Sequence, residues 1–235
     1  MSIAENIAAI REKMNAAAIA AGRDPKEILL CAATKMNGAD AVRQAIAGGV
    51  DLCGENKVQE LTEKLALNAY EGAPVHFIGH LQTNKVRQVV GKVDLIQSVD
   101  SRRLLEAIQK EAARQGIRQD ILLEVNIGAE ESKSGFRPGE IPGLVDIFPD
   151  FPNLRLRGLM AIPPISQKSG DNDKFFQEMY NLSVDITAKK GDNVCGDILS
   201  MGMSDDFTDA IRCGSTMIRI GTAIFGARNY TKSHL

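Results

Sequence analysis

Short apolar runs and amphipathic stretches take turns along almost the whole chain. Eight runs have the length and composition of strands: "EILLCAAT" (27–34), "VDLCG" (50–54), "VHFIG" (75–79), "VDLIQSV" (93–99), "DILLEVNI" (120–127), "LRLRGLMAI" (154–162), "GDILSMG" (196–202) and "STMIRIGT" (215–222). Between them lie stretches with helical spacing, among them "GADAVRQAIAGG", "NKVQELTEKLAL", "QTNKVRQVVG" and "SRRLLEAIQKEAARQG". The last has a Ser101 cap, a Glu106–Lys110 pair at i,i+4 and a stop at Gly116. One more helix opens the chain. There Ser2 and Glu5 fit the S-x-x-E capping box, and Ile3, Ile7, Ile10 and Met14 form one apolar stripe. Gly22 and the Asp24-Pro25 pair end it.

Strands separated by single helices build right-handed βαβ units on a parallel sheet. Eight units in 235 residues predict one (β/α)8 barrel domain over 1–235 with an extra N-terminal helix; such barrels typically take about 250 residues. A doubly wound sheet is the rival. It would carry a Gly-rich phosphate turn after the first strand, and "ATKMNG" is not G-x-G-x-x-G. The polar insert "PPISQKSGDND" (163–173) after the sixth strand is expected to be a mobile loop over the barrel mouth.

Composition narrows the function more than the fold. A net charge of −2 without a Lys/Arg block argues against a nucleic-acid groove or a polybasic membrane patch. No apolar run reaches the ~20 residues of a membrane span. The charged N-terminus has no signal-peptide core, so a cytoplasmic protein is expected. Cys31, Cys53, Cys195 and Cys213 form no CxxC pair and read as buried, reduced thiols.

In a barrel the chemistry collects at the C-terminal ends of the strands. Lys35 follows the first strand, Glu55-Asn56 the second and His80 the third. "SVDS" closes the fourth, Asn126 the fifth and Met160 the sixth, while "SMGMSDD" (200–206) and "RIGTAIFG" (219–226) follow the last two. Ser200, Gly202, Gly221 and Thr222 combine small residues and hydroxyls where barrels commonly hold a phosphate. The plainer reading is that Ser204, with Asp205 and Asp206, caps a helix. Arg219 lies inside an apolar strand and needs an acceptor, either a carboxylate or a ligand atom. The spacing of His76 and His80 crosses a strand end, so no metal site is expected, and His80 reads as a ligand-lining or helix-entry residue. A buried lysine is nucleophilic toward aldehydes. Lys35 and a phosphate cradle at one mouth therefore suit pyridoxal 5′-phosphate (PLP), with Arg219 at the pyridine nitrogen, or a phosphorylated sugar.

The motifs "ATK", "GENKVQE" (54–60), "HFIGHLQTNK" (76–85), "VNIGAEESKSGF" (125–136), "GLMAI" (158–162) and "LSMGMSDDFTDAIRCGSTMIRIGTAIFGAR" (199–228) resemble the pyridoxal phosphate homeostasis protein family, in order and over nearly the whole chain. The resemblance implies a barrel like the N-terminal domain of alanine racemase and PLP held as a Schiff base on Lys35. It implies phosphate on Ser200, Met201, Gly202, Gly221 and Thr222, Arg219 facing the pyridine nitrogen, and Asn56, His80 and Met160 lining the ring. It departs from the family at Asn37 and Gly38, where members often carry a second lysine and a proline. Lys133 is a candidate second lysine that handles cofactor. The expected role is a carrier or buffer in PLP homeostasis without catalysis, with PLP-dependent apo-enzymes as recipients and a monomer or weak dimer as the state. The alternative is an amino-acid racemase of the alanine racemase type. That chemistry uses a tyrosine from a second domain, and Tyr230 lies in the terminal tail.

Overall fold

The eight apolar runs become eight parallel strands that close on themselves, with β8 pairing back onto β1. The computed structural model describes residues 1–130, 134–165, 168–189 and 191–226. Elements follow in the order α1 (Ile3–Ala20), β1 (Leu29–Ala33), α2 (Ala39–Ala47), β2 (Leu52–Glu55), α3 (Val58–Ala66), β3 (Val75–Phe77), β4 (Leu95–Val99), α4 (Arg102–Gln115), β5 (Gln119–Val125), α5 (Ile141–Asp146), β6 (Leu154–Ala161), α6 (Asp173–Ala188), β7 (Val194–Ser200), α7 (Phe207–Arg212), β8 (Met217–Ile220) and α8 (Thr222–Phe225). This is a (β/α)8 barrel, and the doubly wound alternative falls because its sheet would have open edges.

Strand alternation divides the apolar residues between two cores. One set, including Leu30, Ala32, Ile96, Leu123 and Leu159, faces the surrounding helices. The other set fills the lumen: Cys31, Leu52, Leu95, Leu122, Met160, Ile198 and Met217. The added helix α1 packs across α2, α7 and α8, beside the seam where the first and last strands meet. Its capping box forms as the sequence implies, with Glu5 N–H donating to Ser2 Oγ and Ser2 N–H to Glu5 Oε2. Asn6 Nδ2 donates to Ile224 O at 2.9 Å and ties α1 to the end of the barrel.

Three local expectations change. The stretch "QTNKVRQVVG" forms a 3-10 helix over Thr83–Gln88 instead of an α-helix. Gln82 gives no side-chain cap, and the β-branched Val86, Val89 and Val90 favour a helix weakly. Glu106 pairs with Arg102 at 3.0 Å rather than with Lys110. The later part of the insert after β6, residues 168–173, is pinned rather than loose. Ser169 Oγ and Gly170 N–H donate to the Asp209 carboxylate at 2.9 and 2.7 Å, and Asn172 Nδ2 donates to Asp206 Oδ2 at 3.0 Å. Residues 166–167 of that insert lie outside the described residues.

Candidate functional site

Lys35 stands two residues beyond β1 and is half-buried. Cys31 faces the lumen and Thr34 turns outward toward Glu55, and Lys35 opens the turn at the C-terminal mouth of the barrel. The helix that follows, α2, begins after Gly38 with no side-chain cap.

On the neighbouring strand β8, in register with Cys31 of β1, Arg219 is buried and its side-chain bonds go to neutral oxygens. Nη1 donates to Ser200 Oγ at 2.6 Å and Nη2 to Ala161 O at 2.9 Å. Burial pulls its pKa down, while nearby Cys31, Glu124 and Asp206 favour its charge. Ser200 Oγ in turn donates to Gln97 Oε1 at 2.7 Å, and Gln97 Nε2 lies 2.9 Å from His76 Nδ1. Each donor thus points onward: Arg219 to Ser200, Ser200 to Gln97, Gln97 to His76. His76 receives at Nδ1 and stays neutral. Its pKa is lowered to about 4, chiefly by burial.

The other expected residues fall around the same mouth. Met160 is fully buried in the lumen. His80 is exposed, with Nδ1 2.8 Å from Asp100 Oδ2 of the loop after β4. His76 and His80 therefore have separate partners and form no shared site. Asn56 is held close to the strand that follows: a Cβ at Gly79 would lie 2.1 Å from Asn56 O, so only glycine permits this approach. Asn56 Oδ1 is buried and has no hydrogen-bond partner. An orphaned buried amide oxygen carries a desolvation cost of about 1–3 kcal/mol, which an incoming donor would relieve.

The phosphate cradle inferred from sequence is only partly free. The Ser200 hydroxyl already gives its proton to Gln97, and the Met201 N–H donates to Met217 O at 3.1 Å as part of the sheet. The same Ser200 oxygen accepts from Arg219, and a hydroxyl has a single hydrogen to give. Gly202 has φ +95° and lies against α7, where a Cβ would come 2.6 Å from Ala210 Cβ. Gly221 and Thr222 start the short turn α8. Ser204 Oγ accepts the Ala223 N–H of that turn at 3.4 Å, so it caps the final turn and not α7. The Asp206 carboxylate is occupied by Met203 N–H at 2.7 Å and by Asn172.

Two features had no part in the sequence reading. Glu124 in β5 shares its parity with lumen-facing Leu122, and burial followed by the Asp100 charge raises its pKa. A carboxylate within "DILLEVNI" at lumen spacing was the available signal. The second is a buried ion cluster outside β2, where Lys64 Nζ meets Glu55 Oε2 at 2.5 Å. Tyr70 Oη donates to the same carboxylate at 3.2 Å. Lys64 falls on the apolar stripe of α3 with Leu61, which marks it as buried. Lys133, Tyr230 and the tail after 226 lie outside the described residues.

The geometry is one lysine, one buried arginine and an orphaned amide at the C-terminal mouth of a closed barrel. The model of the alanine racemase N-terminal domain matches residues 2–229. The pyridoxal phosphate homeostasis protein of Pseudomonas aeruginosa is 41% identical over 229 residues, covering 97% of each chain. The chain belongs to the pyridoxal phosphate homeostasis protein family. Its relative of that name in Escherichia coli is 40% identical over 98% of both chains. PipY of Synechococcus elongatus, solved with PLP bound, is 30% identical with a TM-score of 0.79, covering 96% of this chain and all of PipY. Among the described residues no helix is long and apolar enough to cross a membrane.

Proposed function

We propose that this protein binds PLP as a Schiff base on Lys35 and serves as a carrier or buffer in cytoplasmic PLP homeostasis, without turnover of its own. The observation that carries this reading is buried Arg219, whose bonds end on neutral oxygens. Its charge is left for a ligand that can accept from it.

The residues present fit the cofactor. Arg219 donates only, so it suits an unprotonated pyridine nitrogen. The orphaned Asn56 Oδ1 suits a ring hydroxyl. Gly202, Gly221 and Thr222 form the cradle for the phosphate, with Ser200 holding Arg219 in place. His80 and Met160 border the ring. When bound, PLP supplies an aldehyde that a lysine amine takes up with loss of one water. Lys35 is the amine at the C-terminal mouth, beside the strand that carries Arg219. PipY binds PLP within a closely similar fold, which supports the assignment.

The carrier reading draws on the same groups. An arginine at the pyridine nitrogen keeps the ring a weak electron sink, although racemases share that feature. Tyr70 has its hydroxyl committed to Glu55 on the outer side of β2, away from the lumen. PLP-dependent apo-enzymes are the proposed recipients.

Incubating the PLP-loaded protein with L-alanine in deuterated water tests the reading. The expected result is no α-deuteration at enzyme-like rates; rapid exchange would favour the racemase. Arg219→Glu should shift the visible absorption of the loaded protein. An unchanged spectrum would make Arg219 a packing residue.

A further inference from the structure

The backbone on both sides of Lys35 is clamped from α3. Lys64 Nζ donates to Thr34 O at 2.8 Å, on the residue before Lys35. Glu60 Oε2 accepts the Met36 N–H at 2.6 Å, on the residue after it. Asn37 completes the clamp, its N–H donating to Thr34 O at 3.1 Å and its Nδ2 to Lys35 O at 3.0 Å. Met36 has φ +61°, a left-handed conformation that a non-glycine residue rarely takes without outside support.

The clamp is one charged unit. Lys64 lies between Glu55, at 2.5 Å, and Glu60, at 3.4 Å. Glu55 has four donors around it: Lys64, Thr34 Oγ1, Tyr70 Oη and Asn56 N–H. The same carboxylate thus reaches Thr34, beside Lys35, and Asn56, with its orphaned oxygen. Lys64 and Glu60 both reach the turn from α3, outside β2, and Lys64 is also the buried counter-ion of Glu55. Glu60 is one-fifth exposed in the first turn of α3, where a carboxylate also suits the helix N-terminus.

We infer that Glu60 and Lys64 are positioning residues, which hold the left-handed turn at Met36 and so fix where Lys35 presents its amine. The inference rests on the functional reading above. Its effect is preorganisation: without the clamp the turn relaxes, and PLP binding must restore it.

The test compares Glu60→Ala with Glu60→Gln, which keeps an acceptor for Met36 N–H, in the full chain. Amide hydrogen exchange at Met36 and Asn37 without PLP should speed up in Glu60→Ala and stay near the unaltered rate in Glu60→Gln. PLP affinity should fall about tenfold in Glu60→Ala, about 1.4 kcal/mol, with most of it restored in Glu60→Gln. Lys64→Met should show the same two changes. Equal PLP affinity in Glu60→Ala and the unaltered protein would overturn the inference, as would a loss in Glu60→Gln as large as in Glu60→Ala. If borohydride reduction of the unaltered protein fixes PLP on a lysine other than Lys35, the functional reading fails and this one with it. If Lys35 is labelled and Glu60→Ala binds normally, the clamp alone fails.

Discussion

The two ends of the barrel treat their arginines in opposite ways. At the N-terminal end of the strands, Asp120 accepts from Arg155 Nε and Nη2 at 2.7 Å and from Arg157 Nη1 at 2.8 Å, while Arg157 also forks onto Asp197. Bonding to Asp197 raises the Arg157 pKa. At the C-terminal end Arg219 is more deeply buried, yet its acceptors are a serine hydroxyl and a backbone carbonyl. At the first end Arg155 and Arg157 are both matched by anions, which serves stability. The other keeps a buried cation short of a direct carboxylate, an arrangement that costs stability unless a ligand completes it.

The largest expected effect tests what lies beneath Arg219. His76 is neutral when folded, with a pKa near 4 against 6.5 when free. Below the free value the unfolded chain takes up the extra proton, so stability is full above it and is lost as pH falls toward the folded value. The loss amounts to about 3 kcal/mol. The urea midpoint should therefore drop more steeply between neutral and acid pH in the unaltered protein than in His76→Gln. Parallel profiles would break the donor chain from Arg219 to His76.

Removing the anion at the other end comes next. Asp120→Ala should cost about 2 kcal/mol, discounted from a fully buried pair because Arg155 is partly exposed, and should leave PLP affinity unchanged. An affinity loss would mean the two ends are coupled. Arg219→Met should do the reverse, changing stability by less than about 1 kcal/mol while PLP affinity collapses. A large destabilisation would place Arg219 with the matched arginines. The smallest effect concerns Cys31, where burial raises the thiol pKa against the pull of Arg219. Cys31 should react with thiol reagents more slowly than half-buried Cys195 and Cys213. Faster labelling of Cys31 would mean the Arg219 charge outweighs burial.

The framework was legible because it rests on local signals. Alternating apolar runs gave eight strands, and Ser2, Glu5 and Gly116 mark helix ends where the structure has them. Lys35 stood out as a cation just beyond an apolar strand, and Arg219 as one inside another. What escaped depends on contacts distant in sequence. Nothing near Ser200 reveals that Gln97, in β4, would take its proton. Nothing near Ser204 reveals a turn starting at Thr222 that needs a cap. The Lys64 clamp was half legible, since its position on an apolar helix face implies burial. Its partners Thr34 and Glu55 come together only when β1 and β2 pair. Cys195 and Cys213 are less buried than their surroundings suggested.

The central claim is that Lys35 carries the cofactor. Reducing the PLP-loaded protein with borohydride and mapping the labelled peptide tests it most directly. One phosphopyridoxyl group is expected, on Lys35, and none in Lys35→Ala. Label on another lysine, or undiminished labelling of Lys35→Ala, would contradict it.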